Sequence, residues 1–215
     1  MKPFGPLTDA AHPLAVALGR ALVREVTAGR VLVIGAGSGR NLAPFLDAGL
    51  RVDVLEESAA RASAVAALFA AQSALRVIRA PYDEPLGAGE YDGALSTHAL
   101  LHGRLAQLRA AVQVAHAALH PGAPFFLTLG ARADPRYGAG HQLEADVWVA
   151  ESGSEAGVPH AFFDEAGART LMRDFHIDAL EERSAAGSVG RWAHTPAEAE
   201  RTVHWFVRAR KDSEH

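Results

Sequence analysis

The chain has 215 residues, 49% of them hydrophobic and 21% charged, enough apolar material for one domain with a two- or three-layer core. A formal charge of −4, with the 11 His counted neutral, offers no basic footprint for a nucleic acid. The absence of Cys excludes disulfide scaffolds, thiol nucleophiles and thiolate metal sites.

Met1-Lys2-Pro3-Phe4-Gly5-Pro6 does not read as a signal peptide. The apolar stretch Leu14 to Val23 is interrupted by Gly19 and Arg20 and is too short to span a bilayer. The expectation is a cytoplasmic protein with no membrane partner.

Pro13 opens a predicted helix running to about Thr27. Val31-Leu32-Val33-Ile34 is a continuous apolar run ending in glycines, the pattern of a strand buried on both faces. A short helix from Asn41 to Ala48 stops at Gly49, and Arg51 to Leu55 is a second strand ending at Glu56-Glu57-Ser58. The Ala-rich stretch from Ala59 to about Ala74 reads as helix, Leu75 to Ile78 as a third strand and Tyr91 to Ser96 as a fourth. His102 to Leu119 is a predicted helix with Leu105, Leu108, Val112 and Ala115 on one face, and Ala123 to Leu129 is a fifth strand.

Gly130 to His160 breaks this rhythm with glycines and few periodic signals, and a connection of that length is read as a lid, spanning about 130–163. Helix returns from Phe163 to Asp174. A sixth strand follows from His176 to Glu182, then a Gly-, Ala- and Ser-rich stretch expected to be mobile, then a seventh strand from Thr202 to Ala209. Repeated βα units imply a mostly parallel sheet with helices on both faces, and the absence of a long helix between the last two strands lets them pair antiparallel. The chain reads as one domain over 1–215.

The chemistry concentrates in Ile34-Gly35-Ala36-Gly37-Ser38-Gly39-Arg40-Asn41, where a strand ends and a helix begins. Glycines there permit positive φ and let a ligand approach the backbone, while the helix start offers free N–H groups. Dinucleotide loops use G-x-G-x-x-G or -A, but Arg40 occupies the sixth position, which disfavours NAD and FAD. No G-K-[ST] follows, so a Walker loop is excluded. Glu56, 21 positions after Gly35, ends the second strand where an acid can accept two hydrogen bonds from a ribose diol.

With these pieces in order, together with Tyr91-Asp92, Leu95-Ser96-Thr97-His98-Ala99-Leu100-Leu101-His102 and Leu119-His120-Pro121-Gly122-Ala123, the sequence resembles the class I S-adenosylmethionine-dependent methyltransferases. It looks most like their small-molecule, tellurite-resistance-like branch. The resemblance runs from about Leu22 to Lys211. It implies a Rossmann-like three-layer α/β sandwich, with a seven-stranded sheet whose seventh strand is antiparallel between the fifth and sixth. It also implies S-adenosylmethionine as cofactor and a small-molecule methyl acceptor. Gly35 and Gly37, with Ala36, Gly39 and Asn41, would sit under the methionine part, Glu56 would hold the ribose and Tyr82 would wall the adenine. Ser96 and Thr97 would face the transferring methyl. Two positions depart from the family: Val33 stands where an acid usually precedes the first glycine, and the acid expected near Ala80 to bond the adenine amine is missing, though Asp83 lies close. These departures define the alternative reading, a non-catalytic methyltransferase-fold protein that binds a nucleoside ligand or a partner.

On the acceptor side, Val158-Pro159-His160-Ala161-Phe162-Phe163 resembles a stretch preceding the sixth helix of similar methyltransferases, and Asp134-Pro135-Arg136-Tyr137-Gly138 stands out in the lid. Tyr137, His160 and Phe162 are the expected substrate residues, and His160 or His98 the expected base. His98–His102 and His116–His120 have a helical i, i+4 spacing, but neither pair has the H-E-x-x-H pattern, so no metal is expected. Trp148, Trp192 and Trp205 are read as packing residues, and Arg40 as lying near the glycine loop. Monomer and homodimer are both compatible with the sequence.

Overall fold

The computed structural model describes residues 10–26, 29–153, 155–186, 188 and 200–213; Trp192 and most of the Gly-, Ala- and Ser-rich stretch lie outside the described residues. Helix α1 (Pro13–Glu25) is followed by β1 (Arg30–Ile34), the single turn α2 (Ala43–Leu46), β2 (Arg51–Leu55), α3 (Ala59–Leu68), β3 (Leu75–Ile78) and β4 (Gly93–Ser96). Helix α4 (Leu105–Ala118) leads to β5 (Pro124–Ala131), β6 (His141–Glu144), β7 (Val147–Val149), β8 (Pro159–Phe163), α5 (Glu165–Leu171), β9 (Phe175–Ser184) and β10 (Val203–Lys211).

The first five strands form the parallel order β3-β2-β1-β4-β5. Val31 of β1 pairs with Val52 on one side and Gly93 on the other, so the run Val31–Ile34 is buried on both faces, as its composition requires. Strand β10 lies antiparallel between β5 and β9, the expected place and direction for the seventh strand of the fold. Over residues 204–207 it is buried on both faces, Trp205 and Val207 joining the apolar cluster on one face of the sheet and Phe206 the cluster on the other, while Arg208 and Arg210 beyond are exposed.

Helix α1 buries Leu14, Leu18 and Leu22, and its first turn is closed by His12, whose Nδ1 accepts a hydrogen bond from Leu14 N–H at 3.1 Å. Helix α4 buries Leu108, Ala111, Val112 and Ala115. Among the described residues no helix is long and apolar enough to cross a membrane.

Two sequence expectations are corrected. The stretch after Gly130 is not structureless: it contains β6, β7 and β8, with β7 antiparallel to both neighbours and β8 joined to the end of β5 at Gly130–Phe162. These strands are short and separated by glycines, so each is legible only through its partner. Helix α4 begins three residues later than expected. His98 (φ 56) and Gly103 (φ 118) interrupt helical geometry, and His102 makes a β-bridge with His160 instead.

Candidate active site

The carboxyl ends of β1, β2 and β4 open onto a cleft, the position where open α/β sheets bind ligands. Gly35, Gly37 and Gly39 have φ of 85°, 54° and 83°. A Cβ on Gly35 would lie 2.4 Å from the Ala99 Cβ, so a side chain there meets both strain and a collision. Asn41 fastens the loop from two directions: its Oδ1 accepts from His12 N–H at 2.8 Å and its Nδ2 donates to Thr97 Oγ1 at 2.7 Å.

Glu56 is wholly buried. Its Oε2 accepts from Ala36 N–H of the glycine loop at 2.8 Å, while Oε1 accepts from Ser58 N–H at 2.8 Å and Arg61 Nε at 3.1 Å. The carboxylate thus ties the glycine loop to the first turn of α3. Tyr82 stands over the loop, its hydroxyl 3.4 Å from the Cβ position of Gly35. Burial, with Glu56 and Glu57 nearby, pushes the Tyr82 phenol well above its ordinary range. The cleft is narrow, about 70 Å³, and Tyr82 and Arg61 both line it. Ser38 Oγ, also at the cleft, is buried without a hydrogen-bond partner, a vacancy that suits a polar ligand.

Of the residues expected at the cofactor, Gly35, Ala36, Gly37, Asn41, Glu56, Tyr82 and Thr97 line one cleft. Gly39 and Ser96 do not. A Cβ on Gly39 would fall 2.7 Å from the Phe69 ring, so this glycine serves packing; Ser96 is buried within β4. Arg40 is buried and donates to the carbonyls of Ala10, at 3.1 Å, and Ser188. His98 lines the cleft beside His12 and His204, with ring centroids 5.2 and 4.9 Å away. Loss of water around its ring, then His204, His12 and Arg40, hold its pKa well below the ordinary histidine value.

A second cavity of about 260 Å³ lies beneath the β6–β8 meander, with Trp148, Phe162 and His160 on its wall. Trp148 is therefore not purely a packing residue: its Nε1 is buried without a partner. Trp205 fits the packing expectation, donating from Nε1 to the Phe163 carbonyl at 2.8 Å. Tyr137 does not line this cavity. It is exposed, bonds to Asp146 Oδ1 at 3.1 Å and packs its ring edge against Trp148 and Phe162.

Arg136 and Glu155 line both cavities. Buried Asp134 holds Arg136 through Nε at 2.8 Å and Nη2 at 3.0 Å and also receives Val203 N–H at 2.9 Å, tying the partition to β10. Glu155 receives Arg136 Nη1 at 3.0 Å and faces His160 Nε2 at 2.9 Å and His102 Nε2 at 3.4 Å. Burial alone would raise the Glu155 carboxyl; the imidazoles of His102 and His160 outweigh it and hold the group well below the ordinary carboxylate range. Glu155 escaped the sequence reading because an isolated acid in a Gly- and Ser-rich stretch carries no motif. His102 was visible only as one member of a helical pair that does not form.

No protein-family model and no curated protein matches the chain. Solved structures do match its fold. It is similar to the 1,6-didemethyltoxoflavin-N1-methyltransferase of Burkholderia thailandensis, solved with 1,6-didemethyltoxoflavin and S-adenosylhomocysteine (TM-score 0.69, 23% identity, 94% of this chain and 77% of that one). It is also similar to an S-adenosylmethionine-dependent methyltransferase from Methanosarcina mazei (TM-score 0.75, 14% identity, 95% of this chain and all of that one, 100%). A third similar structure is the [4+2]-cyclase SpnF (TM-score 0.66, 15% identity, 93% and 80% covered). At such identities the likeness shows the fold, that of the class I methyltransferases. The cyclase is a reminder that a fold does not fix a reaction, which has to be argued from the site.

Proposed function

We propose that the chain is an S-adenosylmethionine-dependent methyltransferase acting on a small-molecule acceptor, of the tellurite-resistance-like kind its sequence resembles. In this reading residues 1–215 act as one cytoplasmic domain whose 130–163 insertion covers the acceptor. The observation that carries the proposal is buried Glu56 at the end of β2, bonded to the Ala36 N–H of a loop with three positive-φ glycines. That arrangement matches a ligand with a ribose diol beside a compact polar group.

S-adenosylmethionine bound there supplies an electrophilic methyl on a sulfonium. Glu56 accepts the ribose hydroxyls once Arg61 swings away. Gly35, Ala36 and Gly37 admit the methionine part against backbone, and Tyr82 covers the base. Asn41 and Thr97, already bonded to each other, hold the floor between the loop and β4. Alignment and exclusion of water supply most of the acceleration, because the leaving thioether is neutral.

The cavity of about 260 Å³ suits a small acceptor, and Trp148 with Phe162 gives it flat apolar walls. Trp148 Nε1 offers a donor to an acceptor's carbonyl or ring nitrogen. A planar heterocycle fits these features, and the toxoflavin precursor of one structural neighbour is of that class. The acceptor's ionisable group belongs to the cluster of His102, Glu155 and His160 rather than to His98, whose surroundings make it a weak proton acceptor.

The test is formation of S-adenosylhomocysteine from S-adenosylmethionine over a panel of small heterocycles bearing ring N–H or hydroxyl groups. Turnover is expected with at least one acceptor and is lost in His160→Ala. Cofactor binding without turnover across the panel would favour the non-catalytic alternative, and a folded chain that binds neither form of the cofactor would end both nucleoside readings.

A further inference from the structure

Where the two cavities meet, the donor atoms of His102, Glu155 and His160 lie within 4.8 Å of one another. A tetrahedral ion with bonds of about 2.1 Å separates its ligand atoms by about 3.4 Å, so small side-chain rotations bring this set to coordination distance.

The His160 ring is anchored through its other nitrogen: Nδ1 lies 2.9 Å from the Val158 carbonyl, which can only accept, so Nδ1 holds a hydrogen there. Nε2 faces the Glu155 carboxylate at 2.9 Å. His102 Nε2 is buried, meets no hydrogen-bond partner and lies 3.4 Å from Glu155 Oε1. One cation placed between the two rings reaches both Nε2 atoms and a Glu155 oxygen.

The backbone fixes the two rings in place. The His102–His160 bridge is flanked by Ala161 N–H to Leu101 O at 2.8 Å and Gly103 N–H to Pro159 O at 3.0 Å. The ring centroids stand 4.6 Å apart at 87°. The tie from His160 Nδ1 to a carbonyl is the outer-shell bond that metal-ligating histidines make. Arg136 donates to Glu155 and is also paired with buried Asp134, which holds the carboxylate in place beside the two rings.

We propose that His102, Glu155 and His160 bind one divalent transition-metal ion of the zinc class, with its open positions facing the acceptor cavity. Imidazole and carboxylate donors suit zinc, cobalt, nickel or ferrous iron better than magnesium or calcium. The consequence for catalysis rests on the methyltransferase reading. An acceptor hydroxyl or ring N–H bound to the ion gives its proton to water, and the electron pair left on that atom attacks the methyl carbon as the sulfonium bond breaks.

The experiment uses the full chain without a polyhistidine tag, stripped with a chelator and titrated with Co²⁺, then with Zn²⁺. The expected result is one Co²⁺ per chain with visible d–d absorption, displaced by Zn²⁺ and weakened at least tenfold in Glu155→Gln and His160→Gln. No stoichiometric binding by the folded wild-type chain would overturn the site, as would binding that both substitutions leave intact; the cluster would then be an imidazolium–carboxylate pair. Titration of the same samples with S-adenosylhomocysteine separates the two readings. Cofactor binding without metal overturns only the metal site, and metal binding without cofactor overturns only the methyltransferase reading.

Discussion

The glycine loop at the floor of the cleft beside β1 presents backbone, whereas the cavity beneath the meander is built of side chains. At the loop, Gly35 and Gly37 and the buried carboxylate of Glu56 lie within the first two βα units. In the cavity, Asp134, Arg136, Trp148, Glu155 and His160 come from separate turns and strands and meet through ion pairs and β-bridges. A backbone site is rigid in what it accepts and intolerant of added atoms. A side-chain site can be altered one residue at a time, and in the proposed function it is where acceptor choice would lie.

The sharpest way to break that contrast is Gly35→Ala. Its φ of 85° and a Cβ 2.4 Å from Ala99 make the methyl group cost about 3 kcal/mol of stability, through strain and local overpacking. A urea unfolding curve would show the loss, and a change below about 1 kcal/mol would mean that the loop is softer than described.

The support under the loop should also respond to acid. Burial, then Arg40 and Arg183, lower the His12 pKa to about 3 from an ordinary 6.5. Between those values the unfolded chain binds the proton and the folded chain does not, so stability rises with pH there and is lost as pH falls from about 6.5 toward 3. The expected slope is about 1 kcal/mol per pH unit. His12→Asn keeps a side-chain acceptor for Leu14 N–H without the titration, so urea curves at pH 7, 5 and 4 should show a flatter dependence. Equal slopes in the two proteins would refute the assignment.

Trp148→Ala belongs to the other region. It should raise the acceptor KM about tenfold while leaving S-adenosylhomocysteine affinity unchanged. A change in cofactor affinity would show that the two cavities are not separable. Arg169→Ala, which removes the exposed i, i+4 pair with Glu165 on α5, should shift stability by less than about 0.5 kcal/mol and leave both sites as they were.

The same contrast explains what the sequence could reveal. The glycine loop, Glu56 and the run Val31–Ile34 are local patterns, so the parallel core and most of the cleft were legible. The place of β10 between β5 and β9 followed from the resemblance, while the absence of a long helix before it already allowed antiparallel pairing. The strands of the insertion were missed because three to five residues with flanking glycines make no periodic signal until they pair. Glu155 and His102 were missed because they acquire meaning only when the bridge at His160 brings positions 102, 155 and 160 together.

The central claim is that the glycine-loop cleft, held by Glu56, takes S-adenosylmethionine, and calorimetric titration with S-adenosylhomocysteine tests it most directly. The account predicts one site per chain, with affinity about 100-fold weaker in a folded Glu56→Ala variant, in keeping with the loss of a buried, charge-assisted acceptor. Absence of binding by the folded wild-type chain, or binding that Glu56→Ala leaves unchanged, would contradict it.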